Sequence, residues 1–183
     1  MTDQADDPMD AGAESRESGR LDHPIQLLLL RHADAGDPAE WHDDDALRPL
    51  SGKGRRQARW VGRWLSKRRR TPDVVVTSPK VRAAQTAALA TEGWGGQPLV
   101  DERLAGGFAI SELAALLADR APEARRVMLV GHDPDFSELA SDLVGGSIAM
   151  PKGATARIDL AGPIAPGTGV LRWLVPAEAV TED

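Results

Sequence analysis

Cysteine is absent from the 183 residues, so neither a disulfide framework nor a thiolate nucleophile is available to this chain. That absence fits a reducing compartment, and any nucleophile has to be another group. Tyrosine is also absent and phenylalanine occurs only twice, so a nucleic-acid surface of interleaved stacking rings is poorly provided for. No apolar run approaches the length of a membrane span. The opening residues, "MTDQADDPMDAGAESRESGRLD", lack the basic-then-apolar pattern of an export signal. A cytoplasmic location follows as the expectation, with neither a membrane nor a nucleic acid as partner.

The charge that is present is unevenly placed. Of the formal net charge of −6, residues 1–22 carry seven acidic groups against Arg16 and Arg20, which leaves the remainder close to neutral. Residues 1–24 therefore read as a disordered acidic tail, too poor in large apolar groups to offset the entropy of ordering them. Residues 25–183 are enough for one domain with a sizeable core.

Within that domain, "IQLLLL" is too short for a lone helix and reads as a strand buried on both faces. "DVVVT" and "RRVMLVG" repeat the signal, and "QPLVDERL" offers a shorter strand. Helical spacing places Ala58, Val61, Gly62 and Leu65 on one stripe, and Leu113, Leu116 and Leu117 on another. Ser78 and Pro79 are placed to cap and open a further helix, as are Asp133 and Pro134, with Gly145 and Gly146 to end it. "ATARIDL" and "GVLRWLV" suggest a final strand pair at a sheet edge. The expected fold is α/β: a three-layer arrangement of a mostly parallel sheet flanked by helices on both faces, with an antiparallel edge strand.

Ligands of such sheets bind beyond the carboxyl ends of the strands. The three clearest strands end in "RHADA", "TSPKVRAAQTA" and "GHDPD", which brings Arg31, His32, Arg82 and His132 to one rim. Two arginines and two histidines beside helix N-termini suit a multiply charged oxyanion, phosphate above all. With no cysteine and no P-loop, a neutral imidazole becomes the candidate nucleophile.

These stretches, "LLLRHADA", "SPKVRAAQTA" and "VGHDP", resemble the motifs of the histidine phosphatase superfamily. "RHADA" with "LRPLSGKG" is most similar to its short, SixA-type branch of phosphohistidine phosphatases, over roughly residues 25 to 175. The resemblance implies that His32 is phosphorylated in line and then hydrolysed. Arg31, Arg82 and a protonated His132 would stabilise the equatorial oxygens, Arg48 would contact phosphate or substrate, and no cofactor or metal would take part.

Four candidates compete for a general acid: Glu102, Asp133, Asp34 and the "HDDD" run from His42 to Asp45. A phosphohistidine substrate makes the choice less pressing, because its other ring nitrogen titrates near ~6.5 and the leaving imidazole can depart neutral. Only about 45 residues separate "QTA" from "VGH", too few for a lid insertion beyond one helix and a short strand. An open pocket admits a side chain of a phosphorylated protein, the expected partner.

A small-molecule phosphomonoesterase is the alternative. A metal-dependent phosphohydrolase using the His/Asp runs, or a phosphate-binding module without catalysis, ranks below it. Arg55, Arg56, Arg59, Arg63 and Lys67 read first as a solvated helix face.

Overall fold

The computed structural model describes residue 21 and residues 23–177, so the acidic tail expected from the sequence falls almost wholly outside the described residues. Six strands form one sheet: β1 (Ile25–Arg31), β2 (Val74–Thr77), β3 (Leu99–Val100), β4 (Arg126–Gly131), β5 (Thr155–Leu160) and β6 (Val170–Val175). Their order is β3-β2-β4-β1-β5-β6. The pairs β3–β2, β2–β4 and β4–β1 are parallel, while β5 runs antiparallel to both β1 and the edge strand β6. Four helices cover it: α1 (Gly52–Lys67), α2 (Val81–Thr91), α3 (Ile110–Arg120) and α4 (Asp135–Val144).

The aliphatic run of β1 is explained by the two layers. Successive strand side chains point to opposite faces, and Leu27 and Leu29 join Leu113, Leu116, Phe136 and Leu139 in one core, with α3 and α4. Leu28 and Leu30 join Val61, Leu65, Ala83 and Ala87 in the other, with α1 and α2. Burying each such leucine contributes roughly 1.5–3 kcal/mol. Every residue of the run therefore anchors the strand that carries His32.

The expected stripe on α1 is buried, and Arg55, Arg56, Arg59, Arg63 and Lys67 are exposed on its other face. At one end of that face Trp64 meets Trp173 of β6 edge-on at 4.9 Å, and the Arg68 guanidinium lies 4.6 Å from its ring. Alpha-carbon hydrogens are all that two positions on α1 admit. A Cβ at Gly62 would lie 2.2 Å from the Ala90 carbonyl oxygen of α2, and one at Gly54 1.9 Å from that of Asp34.

Two helix starts differ from expectation. Helix α2 begins at Val81 with Lys80 as its N-cap; Ser78 stays at the strand end, where its hydroxyl oxygen accepts the Lys80 amide and meets His132. Helix α4 begins at Asp135 behind Pro134. The Asp133 carboxylate instead receives the Ser137 hydroxyl and faces Arg31. Gly145, left-handed at φ +68°, ends α4 as expected. No helix among the described residues is long and apolar enough to cross a membrane.

Candidate active site

His32 follows the last residue of β1 and its backbone is fixed from two sides. Its amide donates to Gly131 at the end of β4 (2.9 Å), and its carbonyl accepts from Gly153 in the α4–β5 loop (3.0 Å). The next amide, of Ala33, donates to Thr86 Oγ1 on α2 (3.1 Å). In the ring, Nδ1 lies 2.8 Å from the Ala33 carbonyl oxygen, which can only accept, so Nδ1 carries the proton. Nε2 keeps its lone pair and has no hydrogen-bond partner among the described residues. Burial, opposed by that carbonyl bond and reinforced by Arg82, Arg31 and Lys152, lowers the His32 pKa from 6.5 to about 4.

The two histidine rings lie 5.2 Å apart between centroids. His132, just past β4, places Nε2 2.8 Å from Ser78 Oγ. That oxygen already accepts the Lys80 amide at 3.2 Å, and its own hydrogen has no acceptor among the described residues other than His132. Nε2 is therefore the acceptor, and the His132 proton sits on Nδ1, buried and without a partner. Burial above all, then competition with His32 for a proton and the charges of Arg82 and Lys80, lower its pKa to about 3. His132 is thus neutral as the side chains stand, and a protonated His132 needs the negative charge of a bound phosphoryl group to draw the proton in.

Arg31 donates to the Met150 carbonyl (2.7 Å) and lies 3.6 Å from Asp133. Arg82 gives one terminal nitrogen to the Asp45 carbonyl (2.6 Å) and the other to its carboxylate (2.9 Å). In both arginines Nε is buried with no partner among the described residues. Arg48 is brought near but turned onto protein groups: Nε donates to Asp45 Oδ1 and Nη1 to the Ala35 carbonyl, both at 2.8 Å.

Of the candidate acids, Asp34 accepts from Ser51 Oγ at 2.6 Å and lies 3.6 Å from Lys152. The serine bond above all holds its carboxyl below the ordinary range, which suits a loop clamp at the start of α1 rather than a proton donor. Glu102 is exposed and bonded to none of the four rim residues. Asp133 is the one beside Arg31. In the "HDDD" run, Asp43 and Asp44 accept nearby amides of their own loop, while Asp45 turns to Arg82. His23 bonds the Ala124 carbonyl and His42 is exposed. Among the described residues no three His, Asp or Glu side chains gather in a group that could hold a metal ion.

Sequence reasoning missed three contributors. Ser78 was legible only as a cap, Asp45 only as one acid in a run, and Lys152 gave no signal, because the α4–β5 loop reaches the rim through tertiary contact alone.

The sequence and the fold both have counterparts among known proteins. Residues 27–106 match the model of the histidine phosphatase superfamily, branch 1. An uncharacterized protein of Picosynechococcus is 35% identical over 125 residues, 67% of this chain and 74% of the relative. The chain belongs to the histidine phosphatase superfamily. Among solved histidine phosphatase folds, the protein histidine phosphatase SixA complexed with tungstate superposes with a TM-score of 0.73 at 24% identity, covering 85% of this chain and 99% of that one. A putative phosphohistidine phosphatase SixA from Nakamurella multipartitia gives 0.69 at 27%, covering 83% and 95%. The fold also extends to a putative alpha-ribazole-5'-P phosphatase from Escherichia coli, with a TM-score of 0.68 at 17% identity, covering 84% and 97%. Between α2 and β4 the chain has only β3, a 3-10 turn (Glu102–Ala105) and α3.

Proposed function

We propose that this histidine phosphatase hydrolyses phosphohistidine on a protein, through a phosphoryl group carried transiently on His32 Nε2. One observation carries the reading. Arg31 Nε, Arg82 Nε and His132 Nδ1 are three buried N–H donors without partners among the described residues, on side chains that neighbour a histidine whose Nε2 bears a lone pair. An unmet buried donor costs roughly 1–3 kcal/mol, which a phosphoryl group recovers through its three non-bridging oxygens, equatorial during in-line transfer.

In the first step His32 Nε2 bonds to phosphorus as the bond to the donor breaks. The two guanidiniums and His132 take up the charge on the equatorial oxygens. In the second, water attacks phosphorus, the Nε2–P bond breaks and inorganic phosphate leaves. Because burial keeps His32 neutral, the lone pair is available across the physiological range.

The substrate class follows from two features. None of the carboxylates described is both free of a stabilising cation and bonded at the rim, and imidazole is a leaving group that departs neutral without strong acid assistance. The short α2–β4 connection leaves the rim without a covering insertion, which suits a side chain presented by another folded protein. A second reading, a small-molecule phosphomonoesterase, is supported by Asp133 beside Arg31, where it can serve as the acid an alkoxide requires.

The test is to mix the protein with a labelled phosphohistidine-containing domain, quench in alkali and locate the label. An alkali-stable, acid-labile adduct on His32 is expected, together with loss of turnover in a folded His32→Ala variant. Turnover without that adduct, or sugar phosphates hydrolysed far faster than the phosphoprotein, would overturn the respective half of the proposal.

A further inference from the structure

The acidic run from His42 to Asp45 ends in a carboxylate that the steps above leave unused. The Asp45 side chain is 54% exposed, yet the two guanidiniums it holds, of Arg82 and Arg48, are 7% and 9% exposed. Its Oδ2 and its backbone carbonyl take the two terminal nitrogens of Arg82, at 2.9 and 2.6 Å. Its Oδ1 takes Arg48 Nε, and Arg48 is tied in turn to the Ala35 carbonyl, three residues after His32. The 3-10 turn that presents it (Asp45–Leu47) is built locally, by the Asp44 carboxylate on the Ala46 amide.

A guanidinium is planar and rigid, so fixing both terminal nitrogens fixes the direction of Nε–H as well. That remaining N–H of Arg82 is the buried, unpartnered one, on a side chain close enough to both histidines to oppose their protonation. From this geometry, and resting on the function proposed above, we infer that Asp45 is a positioning residue that aims Arg82 at the phosphoryl group. Arg48 serves the phosphate indirectly, by holding the carboxylate that holds Arg82. One carboxylate shared by two buried guanidiniums also leaves the cluster one negative charge short, and a phosphoryl group supplies it.

The experiment compares wild type and Asp45→Asn on a phosphorylated histidine-containing domain and on p-nitrophenyl phosphate, with inorganic phosphate as competitive inhibitor. The asparagine variant is expected to lose about ten- to hundredfold in kcat through a misdirected Arg82. Its inhibition constant for phosphate should not weaken, because a negative charge has been removed from beside the guanidinium. Asp45→Glu should recover part of kcat, and Asp45→Asn should slow an Arg82→Lys enzyme no further. An unchanged kcat, a parallel loss of turnover and phosphate affinity, or full additivity with Arg82→Lys overturns the inference. Should Asp45→Asn not fold, the same comparisons are made on Asp45→Ser. A wild type inactive on every donor overturns this inference together with the function it rests on, whereas an active wild type matched by its variant overturns this inference alone.

Discussion

Two arginine clusters stand at the same edge of the sheet and are built on opposite principles. At the end of β3, Asp101 is buried at 4% exposure and saturated: Arg103 grips both its oxygens at 2.9 and 2.8 Å, and Arg120 Nε adds a bond of 2.7 Å. Arg103 spends its third nitrogen on Asp119. At the ends of β1, β2 and β4, by contrast, Arg31 and Arg82 each keep a buried Nε–H unspent, as His132 keeps Nδ1–H. Native proteins rarely leave buried donors unmet. The saturated cluster is complete as a piece of the fold, while the unsaturated one is where the proposed phosphoryl group would be held. "VDERL" and "SPKVRA" look equally promising as strings, and only the accounting of donors separates them.

The sharpest way to break this contrast is at Arg82. Lysine keeps the charge but can neither engage both acceptors of Asp45 nor present a fixed Nε–H, so Arg82→Lys is expected to lose about 10²–10³ in kcat/KM. Its unfolding midpoint should change little. Steady-state kinetics on a phosphohistidine-containing domain decide it, and a loss below tenfold would mean that charge alone suffices.

The complementary change is Asp101→Asn. It should cost roughly 2–4 kcal/mol of stability in urea unfolding at pH 7 and leave turnover unchanged. Arg103 first and Arg120 second hold the Asp101 carboxyl far below its ordinary 3.8. A depressed acid contributes stability above its unfolded pKa and loses it as pH falls toward the folded one, so the gap between variant and wild type should begin to narrow below about pH 4. Equal damage to turnover and stability would erase the distinction between the clusters.

The smallest expected effect separates them by the pH window in which their titrating groups act: below about pH 4 for Asp101, and between pH 7 and 5 for the two histidines. His32 and His132, lowered to about 4 and about 3, refuse protons that the unfolded chain accepts near 6.5. Stability therefore falls as pH drops from 7 to 5, by roughly 1–2 kcal/mol for each histidine. Urea titrations at both pH values should show a shallower fall in His132→Gln, and added inorganic phosphate should oppose the fall in wild type. An identical pH slope in the variant would count against a neutral, buried His132.

Much of this arrangement could be read in one dimension. Alternation along β1 with helical spacing in α1 and α3 specifies the layers, and three strand ends carrying Arg31–His32, Arg82 and His132 specify the rim. What could not be read depends on loops closing over long separations. The Ser78 hydroxyl meets His132 across 54 residues, and Asp45 meets Arg82 across 37. A serine before a proline has an ordinary local use, which Ser78 keeps by accepting the Lys80 amide; its further contact with His132 leaves no trace in the string. Arg48 fits its motif position, but its direction depends on a turn whose geometry is set by Asp44 and Ala46.

The clamped backbone at His32 has one more consequence. With its amide on Gly131, its carbonyl on Gly153 and its ring on Ala33, the residue has no slack with which to pursue a donor. The journey in each turnover belongs to the incoming phosphoryl group. On the proposed function, discrimination between partners becomes a question of reach: how far a phosphorylated side chain stands out from its own protein, set against the fixed depth of this one.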